Sequence, residues 1–129
     1  MSQENVEIVR WFFGDTSRFF DVLDDEVELD IRPMTPGYQG IINGKDAVID
    51  FWRDYIDTWD ELTFDLIETR EAGEDQVVVV QDQRGRGKGS GASFELRSGT
   101  IFTLRAGSVV RMKFFPSVEA ALEAAGLSE

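Results

Sequence analysis

The second half of the chain most restricts the fold. Four strand-like segments run roughly over positions 62–72, 76–88, 92–105 and 108–115. They are joined only by Gly73-Glu74-Asp75, Gly89-Ser90-Gly91 and Ala106-Gly107. Connections this short turn the chain straight back, so these strands must pair antiparallel; parallel neighbours need a crossover of about a dozen residues. Upstream, Val27, Leu29 and Ile31 alternate with Glu28, Asp30 and Arg32, the period-2 signature of a further strand. Pro33 and Pro36-Gly37 end it and open a loop to Gly40.

The remaining segments read as helices. Ser2 is placed to cap a first helix with Val6, Val9 and Phe13 at helical spacing, broken at Gly14-Asp15-Thr16-Ser17. A short second helix is expected to about Leu23, burying Phe19, Phe20 and Leu23. Asn43 can cap a third, whose apolar stripe is Val48, Phe51, Trp52, Tyr55 and Trp59, with Asp50, Arg53, Asp54 and Asp57 opposite. Pro116-Ser117 starts a last helix from Val118 to about Ala125, stopped by Gly126. Helices grouped ahead of a long antiparallel meander indicate an α+β fold, with helices on one face of a sheet. At 129 residues the chain reads as one domain, 1–129, large enough to bury a core.

Composition removes much chemistry. With no His and no Cys, there is no Ser-His-Asp triad, thiol nucleophile, disulfide or ordinary zinc, copper or haem ligand. No metal or organic cofactor is therefore expected. The 13 basic and 25 acidic residues give a formal charge of −12, unlike the basic surface that nucleic acid or anionic membrane requires. The charge is uneven: residues 1–75 carry a net −14 and residues 76–129 a net +2. The polar, acidic N-terminus lacks the pattern of a signal peptide, and the longest apolar run is Val77 to Val80, so a cytoplasmic protein is expected.

In this order the residues resemble the SnoaL-like branch of the nuclear transport factor 2 superfamily, which includes ketosteroid isomerase and limonene epoxide hydrolase. The likeness rests on Asn5-Val6-Glu7-Ile8-Val9-Arg10, Asp25-Glu26-Val27-Glu28-Leu29, Tyr38-Gln39-Gly40 and Gly44-Lys45-Asp46-Ala47-Val48. It continues through Phe51-Trp52-Arg53, the run Arg84 to Gly91, Phe102-Thr103-Leu104-Arg105, Val109-Val110-Arg111 and Glu119 to Leu127. The resemblance implies a curved antiparallel sheet wrapped around helices into a cone open at one end, usually a homodimer. It leaves activity open, because this fold serves isomerases, cyclases, hydrolases and binding proteins alike. Compared with the family pattern, the first helix is about one turn short before Gly14-Asp15.

Asp30 is the candidate catalytic base. By the resemblance, Asp25 to Asp30 aligns without gaps with the stretch ending in the base of ketosteroid isomerase. An apolar cone would raise its pKa by desolvation and suit it to proton transfer near neutrality. Solvation or pairing with Arg32 would instead keep it an ordinary ionised acid. The isomerase's second acid aligns with Thr100, which shares a face with Phe94, Leu96, Phe102 and Leu104. A hydroxyl can donate a hydrogen bond but cannot serve as an acid near pH 7. No Tyr precedes Tyr38, so steroid-isomerase chemistry is not supported. An epoxide-hydrolase arrangement would need Asp82, Arg84 and Asp30 together, whereas a charge row on one strand face is usually solvent-facing. Tyr38, Trp52, Tyr55 and Thr100 are the expected liners of a site for a small apolar ligand. The alternating Gly85, Gly87, Gly89 and Gly91 do not make a phosphate loop; they leave one face of a hairpin bare for another element or a second subunit. Two functions follow: a cofactor-independent acid–base enzyme centred on Asp30, or a non-catalytic small-ligand-binding or dimerisation module on the same cone.

Overall fold

Ten elements follow one another in the computed structural model, which describes residues 2–34 and 40–127. They are α1 (Ser2–Gly14), α2 (Thr16–Asp21), β1 (Leu23–Asp30), β2 (Ile42–Asn43), α3 (Lys45–Asp57), β3 (Trp59–Ala72), β4 (Gln76–Gly87), β5 (Ser93–Arg105), β6 (Ser108–Phe115) and α4 (Val118–Ala124). The strands form one sheet in the order β2-β1-β6-β5-β4-β3, so β2 and β3 are its edges and the sheet does not close. The β3–β6 meander is antiparallel, as the short turns require. One pairing differs: β1 lies parallel to β6, with Leu29 opposite Met112 and Asp30 opposite Lys113. Residues far apart in the chain make that pair, and no local turn specifies it. Extra residues in β1, β3 and β6 shift the register and bend the strands, and the sheet curves around the helices.

The concave face holds the larger core. Val27 and Leu29 of β1, Val77 and Val79 of β4, Phe102 and Leu104 of β5, and Met112 and Phe114 of β6 point into it. Helices α1, α2 and α3 fill it with Val9, Phe12, Phe19, Val48 and Trp52. Two positions depart from the periodicity. Leu23 begins β1 instead of ending α2. Trp59 begins β3, because α3 stops at Asp57; its ring then packs on Phe94 and Tyr55. Helix α3 also starts one residue later than a cap at Asn43 implies, with Gly44 at the cap position in a left-handed conformation (φ 97°).

The last helix corrects the expectation that all helices lie on one face. Val78, Ile101 and Phe115 alternate with the concave residues and are apolar too, so this stretch of sheet is greasy on both sides. Helix α4 covers the second side with Ala121 and Leu122, under a cap in which Ser117 Oγ accepts from the Ala120 N–H at 3.1 Å. The approach is close enough to require glycine. A Cβ on Gly99 would lie 2.6 Å from Ala121 Cβ and 3.4 Å from the Val79 carbonyl oxygen. Gly85 has the same role inside the cone, where a Cβ would meet Phe94 at 2.7 Å, Trp59 at 3.1 Å and Leu62 at 3.3 Å. The bare face at Gly85 therefore receives rings of this chain. Among the described residues, no helix is long and apolar enough to cross a membrane.

Gly99→Ala is expected to destabilise the protein by about 1–3 kcal/mol through overpacking beneath α4. Adding Ala121→Gly should recover part of that loss. Chemical denaturation of the single and double variants checks the coupling, and strictly additive losses would show that the Gly99–Ala121 contact is not the cause.

Candidate functional site

The concave interior is closed mainly by rings. Phe12 touches Phe19, Trp52, Phe64, Phe102 and Phe114 edge-on or tilted, with centroids 5.2 to 6.3 Å apart. What remains open is a cleft of about 170 Å³ lined by Phe12, Phe13, Thr16, Phe20, Trp52, Ile56, Leu62 and Phe64. Its walls come from α1, α2, α3 and β3. Among the described residues, no charged side chain lines it.

Below the helices, β4 and β5 bring uncharged polar groups into the core. Gln81 and Ser98 face each other across the two strands, as do Val79 and Thr100 nearby. All three polar residues are fully buried. Thr100 Oγ1 donates to Gln81 Oε1 at 3.0 Å, and Gln81 Nε2 donates to Ser98 Oγ at 3.2 Å. Further along β4, Gln83 Nε2 donates to the Tyr55 hydroxyl oxygen at 2.6 Å, tying α3 to the sheet. Burial pushes the Tyr55 phenol above its usual pKa, with Gln83 opposing the rise. The Trp59 indole N–H also favours the phenolate, yet it makes no hydrogen bond of acceptable geometry. The Trp52 indole N–H, buried in the same interior, has no partner among the described residues.

Trp52 thus lines the cleft, Tyr55 stands beside it, and Thr100 lies deeper, held by Gln81. Tyr38 lies outside the described residues. Gln81, Gln83 and Ser98 were not singled out in the sequence. Their signal was present, because Gln81 and Gln83 continue the inward alternation of Val77 and Val79.

Asp30 lies on the other side of the sheet. Its register places it beside Lys113, while its neighbour Leu29 turns inward onto Met112. The carboxylate has no exposure to solvent, yet only a thin basic layer covers it. Arg32 grips both oxygens, Nε to Oδ1 at 2.9 Å and Nη2 to Oδ2 at 2.8 Å, and its backbone N–H adds a bond at 3.1 Å. Arg111 and Lys113 stand 3.6 and 3.7 Å from Oδ2. The hydrogen-bonded guanidinium outweighs desolvation and holds the carboxyl at about 2, against an ordinary value of 3.8. The apolar setting expected to raise this group is therefore not the one it occupies. Asp30 stays ionised well below neutrality.

The Asp82, Arg84 and Asp30 arrangement is not assembled either. Asp82 pairs with Arg97, which lowers its pKa, and Arg84 pairs with Asp65 on the outer face of β3 and β4. Strands β5 and β6 separate them from β1. Among the described residues, no group of His, Cys, Asp or Glu has the geometry to hold a metal ion.

Residues 9–112 match the SnoaL-like domain family. Among solved structures, a protein from a Jannaschia species named for the SnoaL-like polyketide cyclases is 20% identical, over 98% of this chain and 94% of that one, with a TM-score of 0.76. TerC, co-crystallised with polyporic acid, is 20% identical over 95% of this chain and 98% of its own, with a TM-score of 0.72. A ketosteroid isomerase-like fold protein from Catenulispora acidiphila, in complex with trimethylamine, is 16% identical over 95% and 94%, with a TM-score of 0.71. At these identities the likeness shows the fold alone. No curated protein matches the sequence.

The Asp30 ion pair sets a pH dependence. A folded pKa of about 2 below an unfolded 3.8 stabilises the fold above about pH 4, and the gain is lost as pH falls toward 2. Asp30→Asn should cost about 1–2 kcal/mol near neutrality, after allowance for solvent screening of the half-exposed arginine. The gap from the unmodified protein should close as pH falls from about 4 to about 2. Denaturant midpoints across that range test it, and a constant gap would refute the assignment.

Proposed function

The chain belongs to the SnoaL-like domain family, and from that premise we propose that it binds a small, neutral, mostly apolar ligand without acid–base chemistry at Asp30. The carrying observation is the 170 Å³ cleft, with mostly apolar walls and no charge among its described residues. An engineered apolar cavity of about 150 Å³ in another protein admits benzene, so a ligand of one or two rings suits this one. Trp52 is its proposed contact, with Tyr55 packed against that ring and Thr100 deeper in the core, held by Gln81. The structural relatives crystallised with polyporic acid and with trimethylamine agree with small-molecule binding on this fold. The acid–base reading has less support, since a general base near neutrality needs a carboxyl that releases and takes a proton there. Asp30, ionised and clamped by Arg32, is better suited to holding β1 against β6, whose Arg111 and Lys113 stand beside it.

The same reading treats residues 1–129 as one SnoaL-like domain, in the cytoplasm, where a cysteine-free chain is at ease. It also takes the protein to be a homodimer joined through the outer face of β3, β4 and β5. That face carries cross-strand pairs, Arg84 with Asp65, Arg86 with Glu61 and Arg97 with Asp82, and so stays near neutral on a chain of −12. Two copies meet least repulsion there. Sedimentation equilibrium is expected to give twice the 14.6 kDa chain mass, falling to the monomer in Arg97→Glu. A monomer at all concentrations would refute the dimer.

Binding is read from tryptophan fluorescence during titration with 1-indanone. Saturable binding is expected. Ile56→Trp, which fills the cleft from its exposed rim, should weaken it at least about tenfold with little change in stability. Asp30→Asn should alter affinity less than about twofold. Absence of saturable binding by one- and two-ring probes would sink the proposal, as would loss of binding in Asp30→Asn alone.

A further inference from the structure

We infer that Arg111 and Lys113 form a binding site for a small carboxylate bearing an apolar group, in a pocket on the outer face of the sheet beside α4. The site lies on the opposite side of the sheet from the cone cleft and does not depend on it.

Strand register lays the site out. One row across β4, β5, β6 and β1 reads Gln76, Thr103, Arg111 and Glu28. The next reads Val78, Ile101, Lys113 and Asp30. In each row the cation stands between an acid on β1 and an uncharged residue on β5. On the β5 side the two cations, with Thr103, Gln76 and Ile101, line a pocket of about 140 Å³. Phe115 of β6 and Ala124 of α4 complete its lining.

The acids do not use up the cations. Asp30 takes its side-chain hydrogen bonds from Arg32, on both oxygens. Arg111 and Lys113 stand 3.6 and 3.7 Å from Asp30 Oδ2, and Arg111 Nε is 3.7 Å from Glu28 Oε2. These are ion-pair distances, beyond hydrogen-bond length. Among the described hydrogen bonds, neither Arg111 nor Lys113 donates one. Arg111 Nε is shut from solvent without a partner, whereas its terminal nitrogens and Lys113 Nζ stay open. Lys113 Nζ lies 5.5 Å from the centre of the Phe115 ring, so the ammonium adjoins the apolar wall of the pocket. Arg32, Arg111 and Lys113 against Glu28 and Asp30 leave one positive charge in this cluster, on a chain of −12.

A residual charge of one asks for a monoanion. The guanidinium fork matches the two oxygens of a carboxylate, and the ammonium adds a point charge beside it. Ile101, Phe115 and Ala124 offer carbon to an apolar group on the same ligand. The volume suits about one ring.

Benzoate and its neutral isostere benzamide test this by calorimetry on the full-length protein. Benzoate is expected to bind saturably, at least about tenfold more tightly than benzamide and about fivefold more tightly than acetate. Arg111→Gln should weaken benzoate at least about tenfold. Arg53→Gln, the same loss of charge on the exposed side of α3, should change it less than about twofold. Ala124→Trp fills the pocket from its exposed rim with every charge in place, and should weaken benzoate at least about tenfold even where Arg111→Gln does not fold. Ile56→Trp, which fills the cone cleft, should leave benzoate affinity unchanged; a loss there would place benzoate in the cone and overturn the outer site. Absence of saturable benzoate binding would overturn it too, as would equal affinity for benzamide or equal losses in Arg111→Gln and Arg53→Gln. Inorganic phosphate binding as tightly as benzoate would overturn the preference for a carboxylate with an apolar group.

Discussion

Phe12 is the side chain on which the interior depends. It projects from α1 into the cone and meets rings from α2, α3, β3, β5 and β6. Each edge-to-face pair contributes roughly 0.5–1.5 kcal/mol beyond simple burial. Because these partners come from distant parts of the chain, they position helices and sheet with respect to one another. They also fix how much space is left. A cone whose centre is filled by Phe12 and Trp52 keeps, among the described residues, the cleft beside them, and those two side chains limit its volume.

Charge is divided by the sheet. On the concave face, β4 and β5 offer glutamine, serine and threonine, which satisfy one another without ionising. On the outer face, Asp30, Asp82 and their arginines form ion pairs close to water. The division has a physical basis: an ion in the ring-filled interior would need a partner ion there, whereas on the outer face the half-exposed arginines pair the carboxylates and keep part of their own hydration. Reactivity follows the same division. The ionised carboxylate lies outside the cone, and the interior holds neutral donors and acceptors.

Much of this was legible from local pattern. The inward positions of Val27 and Leu29, and hence the outward position of Asp30, follow from alternation alone. The raised pKa expected for Asp30 came from likeness to an isomerase and conflicted with that alternation; the Arg32 pair, two residues away, was the reading the local sequence already contained. Trp59 fits a helical period as well as it fits the start of a strand, and only the stop at Asp57 decides between them. The parallel pairing of β1 with β6 and the site of α4 depend on residues far apart in sequence. The two-sided apolarity of Val77 to Val79 hinted at α4, because a strand greasy on both faces must be covered twice.

The short first helix is part of how the cleft arises. Helix α1 ends at Gly14, and Asp15 caps α2 by accepting from the Arg18 N–H. The break turns the chain, so Phe12 and Phe13 before it and Thr16 and Phe20 after it stand on walls of the same opening. An uninterrupted helix, at about 100° per residue, would hold those side chains in one stripe pointing the same way, and they could not face one another across a space. Phe19 meanwhile sinks onto Phe12 and Phe102 and anchors the turn. The helix break thus shapes the opening, and Phe12 with Trp52 limits its depth. Opening and depth are set by different residues, which allows a fold shared by many proteins to change its ligand without changing its core.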